Sequence, residues 1–185
     1  MNDVMTDIET HATSQGAVIL SAAFVRFDRH TGETGEELFE RFSITKGLNR
    51  ERVTCESTVE FWSKQDSEIY ERSKGGTRKL EDFLETDLRD FFTKKDKIWG
   101  NGATFDVSVL EHAIFQYRFN TLGMNSEKSV DYPWKYWNVR DVRTLMDLAT
   151  GFSTKGKKPK ELHDPIVDCK YQIGYVCKAI EVMRS

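Results

Sequence analysis

Three strand-like runs crowd the first 44 residues, and they restrict the fold more than anything else in the chain. They are "VMTDIET" at 4–10, "AVILSAAFVRFD" at 17–28 and "EELFERFSI" at 36–44, with "RHTGETG" supplying the glycines of a turn between the last two. The expectation is a three-strand antiparallel meander. Further on the apolar period changes. From Ser57 to Tyr70 and from Lys79 to Phe92 apolar residues recur at three- and four-residue steps, with Leu80, Phe83, Leu84, Leu88, Phe91 and Phe92 on one stripe. These read as two amphipathic helices separated by "SKGGT".

"KIWGNGATFDVSVLEHAIFQYRF" at 97–119 reads as a short strand, a glycine loop and a helix, and "WNVRDVRTLMDLA" as a further strand running into a helix. The final 20 residues form another helix. Strands first in a run and then alternating with helices imply an α/β fold, a mixed sheet with helices on its faces. There is no internal repeat and no dividing linker. At 185 residues the whole of 1–185 is expected to be a single domain with a sizeable core.

A formal net charge of −3 excludes a generally basic nucleic-acid binder, so a polyanion site has to be a local patch. Cys55, Cys169 and Cys177 are odd in number and form no CxxC pair, which suits reduced thiols in a cytoplasmic protein. No apolar run approaches the roughly 20 residues that span a bilayer, so no membrane partner is expected.

The chemistry concentrates in the acids. In an extended strand residues i and i+2 share a face, so Asp7 and Glu9 project side by side and require positive charge nearby. Asp106, in "GNGATFD", lies where a strand has ended and a helix begins, the usual place for functional groups in an α/β sheet. In "HDPIVDCKYQIGYV", Asp164 is a favoured N-cap and Pro165 a favoured first helical residue, which puts Asp168 one turn inside the helix and His163 just outside it. If the first strand is central, Asp7, Glu9, Asp106 and Asp168 converge. Four carboxylates would repel unless hard divalent cations neutralised them, and oxygen ligands favour Mg2+ or Mn2+ over zinc. Two such ions, about 3.5 to 4 Å apart, form a known clamp for in-line displacement at phosphorus.

DxE near the N-terminus, an Asp after a strand and glycine loop, and His-x4-Asp near the C-terminus resemble the DEDDh 3'-to-5' exonucleases of the ribonuclease H-like fold. "FWSKQ" and "PWKYWNVRDVRTL" are similar to the RNase T-like group that includes phage exonuclease A-type proteins. The resemblance implies a ribonuclease H-like mixed sheet, a meander plus parallel strands flanked by helices. It makes Asp7, Glu9, Asp106 and Asp168 the metal-binding carboxylates for two Mg2+ ions, with Mn2+ as a substitute, and His163 the general base. The related branch with Tyr at the position of residue 164 is not matched, since that residue is Asp. Pro165 and Cys169 stand where the family often has alanines.

Each of these residues has a plainer reading. A DxE pair alone is commonly a solvated strand end, His163 an ordinary loop histidine, Asp141 an N-cap and Asp147 a solvated helix residue. Lys157 and Lys158, in the lysine-rich "GFSTKGKKPKE", are candidates for phosphate contact or a solvated run. Among the four tryptophans Trp62 and Trp134 are the candidates for base stacking, although core packing is the commoner fate of Trp. The expected activity is a metal-dependent 3'-5' exonuclease that releases 5' mononucleotides from the 3' end of single-stranded DNA or RNA, with a homodimer possible because similar exonucleases include dimers. The alternatives are a silent nucleic-acid-binding module of the same fold and an endonuclease or integrase of the wider superfamily.

Overall fold

In a computed structural model of the protein the described residues are 1–184, apart from 66, 122, 124–129 and 154–162. The meander is β1 (Asp3–Thr10), β2 (Ile19–Phe27) and β3 (Thr34–Arg41). β4 (Lys97–Gly100) and β5 (Val139–Asp141) complete a five-stranded sheet in the order β3-β2-β1-β4-β5. β1 is therefore central. It pairs antiparallel with β2, Asp7 opposite Ala23 and Glu9 opposite Ser21, and parallel with β4 on its other side. The expected ribonuclease H-like mixed sheet flanked by helices is the fold observed.

Helices cover both faces. One face of β1 carries Val4 and Ile8 into a core with α3 (Leu80–Glu85), α4 (Asp87–Phe91) and α5 (Asp106–Thr121), where Phe24 packs on Phe83, Phe91 and Phe92. The opposite face carries Met5, Ala23 and Trp99 against α6 (Val142–Leu148) and α7 (Pro165–Val182). Cys169 explains how α7 comes so close. Its thiol is fully buried and lies 3.7 Å from the Met5 carbonyl and 3.8 Å from that of Ala23, so a residue larger than a small hydrophobe would hold the helix off the sheet.

Two expected helices are each broken in two. The run from Ser57 to Tyr70 becomes α1 (Glu56–Ser63) and α2 (Ser67–Ser73). The run from Lys79 to Phe92 breaks at Thr86, whose φ of −113° and ψ of −86° leave the helical region while its hydroxyl donates back to the Asp82 carbonyl at 2.6 Å. Threonine competes with helical hydrogen bonding in this way, and apolar periodicity, which continues across the break, does not register it.

Candidate active site

A cleft of about 630 Å3 opens at the carboxyl ends of β1 and β4, lined by Asp7, Glu9, Asp106, His163 and Asp168 among others. Three segments supply the acids. β1 presents Asp7 and Glu9 on the face covered by α7, as their i, i+2 spacing requires. Asp106 opens α5 directly after the turn that leaves β4. Asp168 sits in the first turn of α7, whose start is set as the sequence suggests: Asp164 caps it, accepting from the Ile166 and Val167 amides at 3.1 and 3.3 Å, and Pro165 follows.

The turn before Asp106 needs its glycines. A Cβ on Gly100 would lie 3.2 Å from Asp106 Oδ2 and 3.1 Å from the Ala103 Cα, and Gly102 has φ +108°, a backbone that side chains rarely tolerate. Asp141 ties this turn down. Its Oδ2 accepts from the Gly102 and Ala103 amides at 3.1 and 2.7 Å, while its Oδ1 accepts from the Thr144 amide and hydroxyl at 2.7 and 2.8 Å. The cap expected from the sequence is present, but the carboxylate also fixes the turn that aims Asp106. Asp141→Ala should lose about 2 to 3 kcal/mol, a cap plus two hydrogen bonds, and so about 4 to 12 °C in Tm. A thermal melt within 1 °C or so of the parent would refute that role.

His163 is docked rather than free. Its φ is +74°, the left-handed region, and it is the one non-glycine residue so placed among the described residues. Its amide donates to Asp168 Oδ2 at 2.8 Å and its carbonyl accepts from the Ser73 hydroxyl at 3.3 Å. The imidazole meets Phe61 and Trp62 edge to face, with ring centroids 5.3 and 5.8 Å away. Donor atoms of Glu9, His163 and Asp168 come within 4.8 Å of one another, which makes them a possible metal site.

The electrostatics match that arrangement. Burial first, and then the charges of Asp106 and Asp168, hold Asp7 well above the ordinary carboxylate range. Burial and then Asp7 do the same to Glu9. Asp106 is pushed up to about 7 by burial, although the Ile8 amide, its own amide and the charge of Arg143 pull the other way. Burial also raises Asp168. Carboxylates held this way call for positive charge, and a set of carboxylate oxygens suits a hard divalent cation.

Two residues absent from the sequence reading join the cleft. Gln172 donates from Nε2 to Asp7 Oδ1 at 2.8 Å, while its buried Oε1 has no partner among the described residues. It stands four residues after Asp168, the helical spacing that shares a face, and that spacing was the available signal. Arg143 lines the cleft as well. The stacking candidates fare differently. Trp62 and Trp134 are each 2 % exposed, with their indole N–H groups donating to the Thr10 carbonyl and to Glu111 Oε1, so neither ring offers a free face to a base. The exposed tryptophan is Trp137, at 60 %, which precedes β5 at the end of the sheet away from the cleft. Lys157 and Lys158 lie outside the described residues.

The family model of the Rv2179c-like 3'-5' exoribonuclease domain matches residues 2–180. The chain belongs to that family. As a member it is a nuclease of the DEDDh exonuclease type. An exodeoxyribonuclease of Enterobacteria phage T4 is 28% identical over 199 aligned positions, covering 94% of this chain and 86% of the phage protein. Among solved structures, E. coli exonuclease I in complex with a dT13 oligonucleotide superposes with a TM-score of 0.61 at 14% identity, over 93% of this chain and 39% of that one. Exonuclease I of Methylocaldum szegediense gives a TM-score of 0.62 at 13% identity, over 97% and 40%. This family member thus spans only about 40% of the exonuclease I chains, whose likeness shows a shared fold.

Proposed function

We propose that this exonuclease removes 5' mononucleotides one at a time from the 3' end of single-stranded DNA or RNA, as a single domain, with Asp7, Glu9, Asp106 and Asp168 as ligands of two divalent cations and His163 as general base. The observation that carries the reading is the meeting of Glu9, His163 and Asp168 donor atoms within 4.8 Å, beside two further buried acids. The cations supply charge neutralisation at the scissile phosphate and its leaving oxygen. The chain's own groups do the rest. His163, neutral, takes the proton of the water that attacks phosphorus, the bond to the 3' oxygen of the preceding nucleotide breaks, and the phosphate leaves with the terminal nucleotide. The backbone clamp on His163, through Asp168 and Ser73, together with the edge-to-face contacts of its ring with Phe61 and Trp62, holds the imidazole at the cleft.

The same reading takes Mg2+ as the working ion and Mn2+ as its substitute, Lys157 and Lys158 as phosphate contacts, a cytoplasmic setting suited to the unpaired thiols, and a homodimer as the assembly to test by sedimentation. Sugar preference is the open choice, since the family description names RNA and the phage relative's name DNA. A degradation time course on matched, 5'-labelled RNA and DNA strands with Mg2+ or Mn2+ decides it. A ladder shortening from the 3' end with mononucleotide product is expected. Binding without cleavage would mean a silent module of the same fold, and internal fragments an endonuclease.

A further inference from the structure

Resting on that reading, we propose that Arg143 is the phosphate grip of the cleft, its guanidinium holding a non-bridging oxygen of the last dinucleotide as the 3' end enters. Among the described residues lining the cleft it is the one Lys or Arg. The acids that line the same cleft account for the need. Four carboxylates repel a phosphodiester, and two divalent cations bring their sum to zero without giving the wall any attraction for the rest of the strand. A fixed cation beyond the ligand set supplies it.

Arg143 is placed and left open for this task. It follows Val142 at the start of α6, immediately after Asp141, the carboxylate that pins the 101–105 turn. Its guanidinium lies over that turn, where a Cβ on Gly102 would stand 3.7 Å from its Cζ, so the glycine leaves it room. Most other arginines near acids are committed: Arg26, Arg29, Arg78, Arg89 and Arg118 all pair with carboxylates. Arg143 is exposed, and among the described residues it has no ion pair and one side-chain hydrogen bond, a long 3.4 Å to Asn101 Oδ1. A planar fork with free donors beside an acidic cleft suits the two oxygens of a phosphate better than it suits a structural bridge.

The competing role is that of a counter-ion to Asp106, whose carboxyl feels the Arg143 charge. The two roles give different results. Affinity for a short single-stranded oligonucleotide is measured by fluorescence anisotropy in EDTA, at 50 to 200 mM salt, for Asp7→Asn alone and combined with Arg143→Ala or Arg143→Lys; KM and the half-activating Mg2+ concentration are measured for the single Arg143 variants. As a phosphate grip, Arg143→Ala weakens binding about ten- to hundredfold, lowers the salt slope by about 0.7, raises KM by a similar factor and leaves the Mg2+ midpoint in place. Arg143→Lys keeps the salt slope and recovers part of the affinity, since it restores the charge without the fork. An unchanged slope and KM overturn the proposal, and a shifted Mg2+ midpoint with unshifted oligonucleotide affinity makes Arg143 the partner of Asp106 instead. Should the parent chain release no mononucleotide from either strand, the exonuclease reading itself fails, while a degrading enzyme indifferent to Arg143→Ala refutes the grip alone.

Discussion

Asp7→Asn should abolish hydrolysis, by roughly three orders of magnitude or more, while leaving the metal-free protein at least as stable as its parent. On the proposed two-cation mechanism the rate loss follows from removing a charge that would hold the cations, each of which contributes several kcal/mol of transition-state stabilisation at about 1.4 kcal/mol per decade. Asparagine keeps a side-chain oxygen for the Gln172 amide, so the packing of α7 on β1 is preserved. The stability effect has a definite pH sign. Asp7, Glu9, Asp106 and Asp168 all have raised pKa values in the fold, Asp106 to about 7, so between about pH 4 and 7 the native state binds more protons than the unfolded chain. Metal-free stability therefore falls as pH rises through that window. Asp87, whose pairing with Arg78 draws it down to about 2, acts in the opposite sense and only below pH 4 or so. In EDTA the parent should melt lower at pH 7.5 than at pH 5, and Asp7→Asn should flatten the difference. Added Mg2+ should raise the parent's Tm at pH 7.5 far more than the variant's. A variant that melts well below its parent in EDTA, or keeps its activity, would remove Asp7 from the site.

His163→Ala is expected to lower kcat by about 10² to 10⁴, the usual contribution of a positioned general base, with the Mg2+ midpoint nearly unmoved. The midpoint should hold because the bond to Asp168 comes from the His163 backbone amide and survives any side-chain replacement. A neutral imidazole is needed to accept the proton, so the parent's pH-rate profile should carry an acidic limb that vanishes in the variant. His163→Gly supplies the control. At φ +74° glycine relaxes the backbone whereas alanine does not, so equal rate losses in the two variants assign the effect to the missing ring. Retention of the acidic limb in both would give the base role to another group.

Much of this was legible before any coordinates. The meander of β1 to β3, the start of α7 and the four acids are local matters. They are written in alternation, in Asp164 and Pro165 ahead of a helix, and in Asp7 and Glu9 two residues apart. The aromatic residues were not legible in the same way. Phe61 and Trp62 are adjacent and both touch the His163 ring, yet Phe61 is 43 % exposed and Trp62 is sealed under Tyr70. Which of two neighbouring aromatics faces solvent depends on how α1 rolls against the sheet, and periodicity over eight residues does not set that angle.

From the sequence alone came the identity of the acids and the elements that carry them, because strand alternation, helix capping and turn chemistry act over a few residues. The tertiary structure decided which distant groups complete the cleft. Asp141 reaches back across the sheet edge to the turn at Gly102, Gln172 holds Asp7 from 165 residues away along the chain, and Arg143, without an ion pair among the described residues, lies over that turn at the cleft. Such contacts depend on strand order and on how closely α7 packs over Cys169, quantities set by the balance of many burials at once.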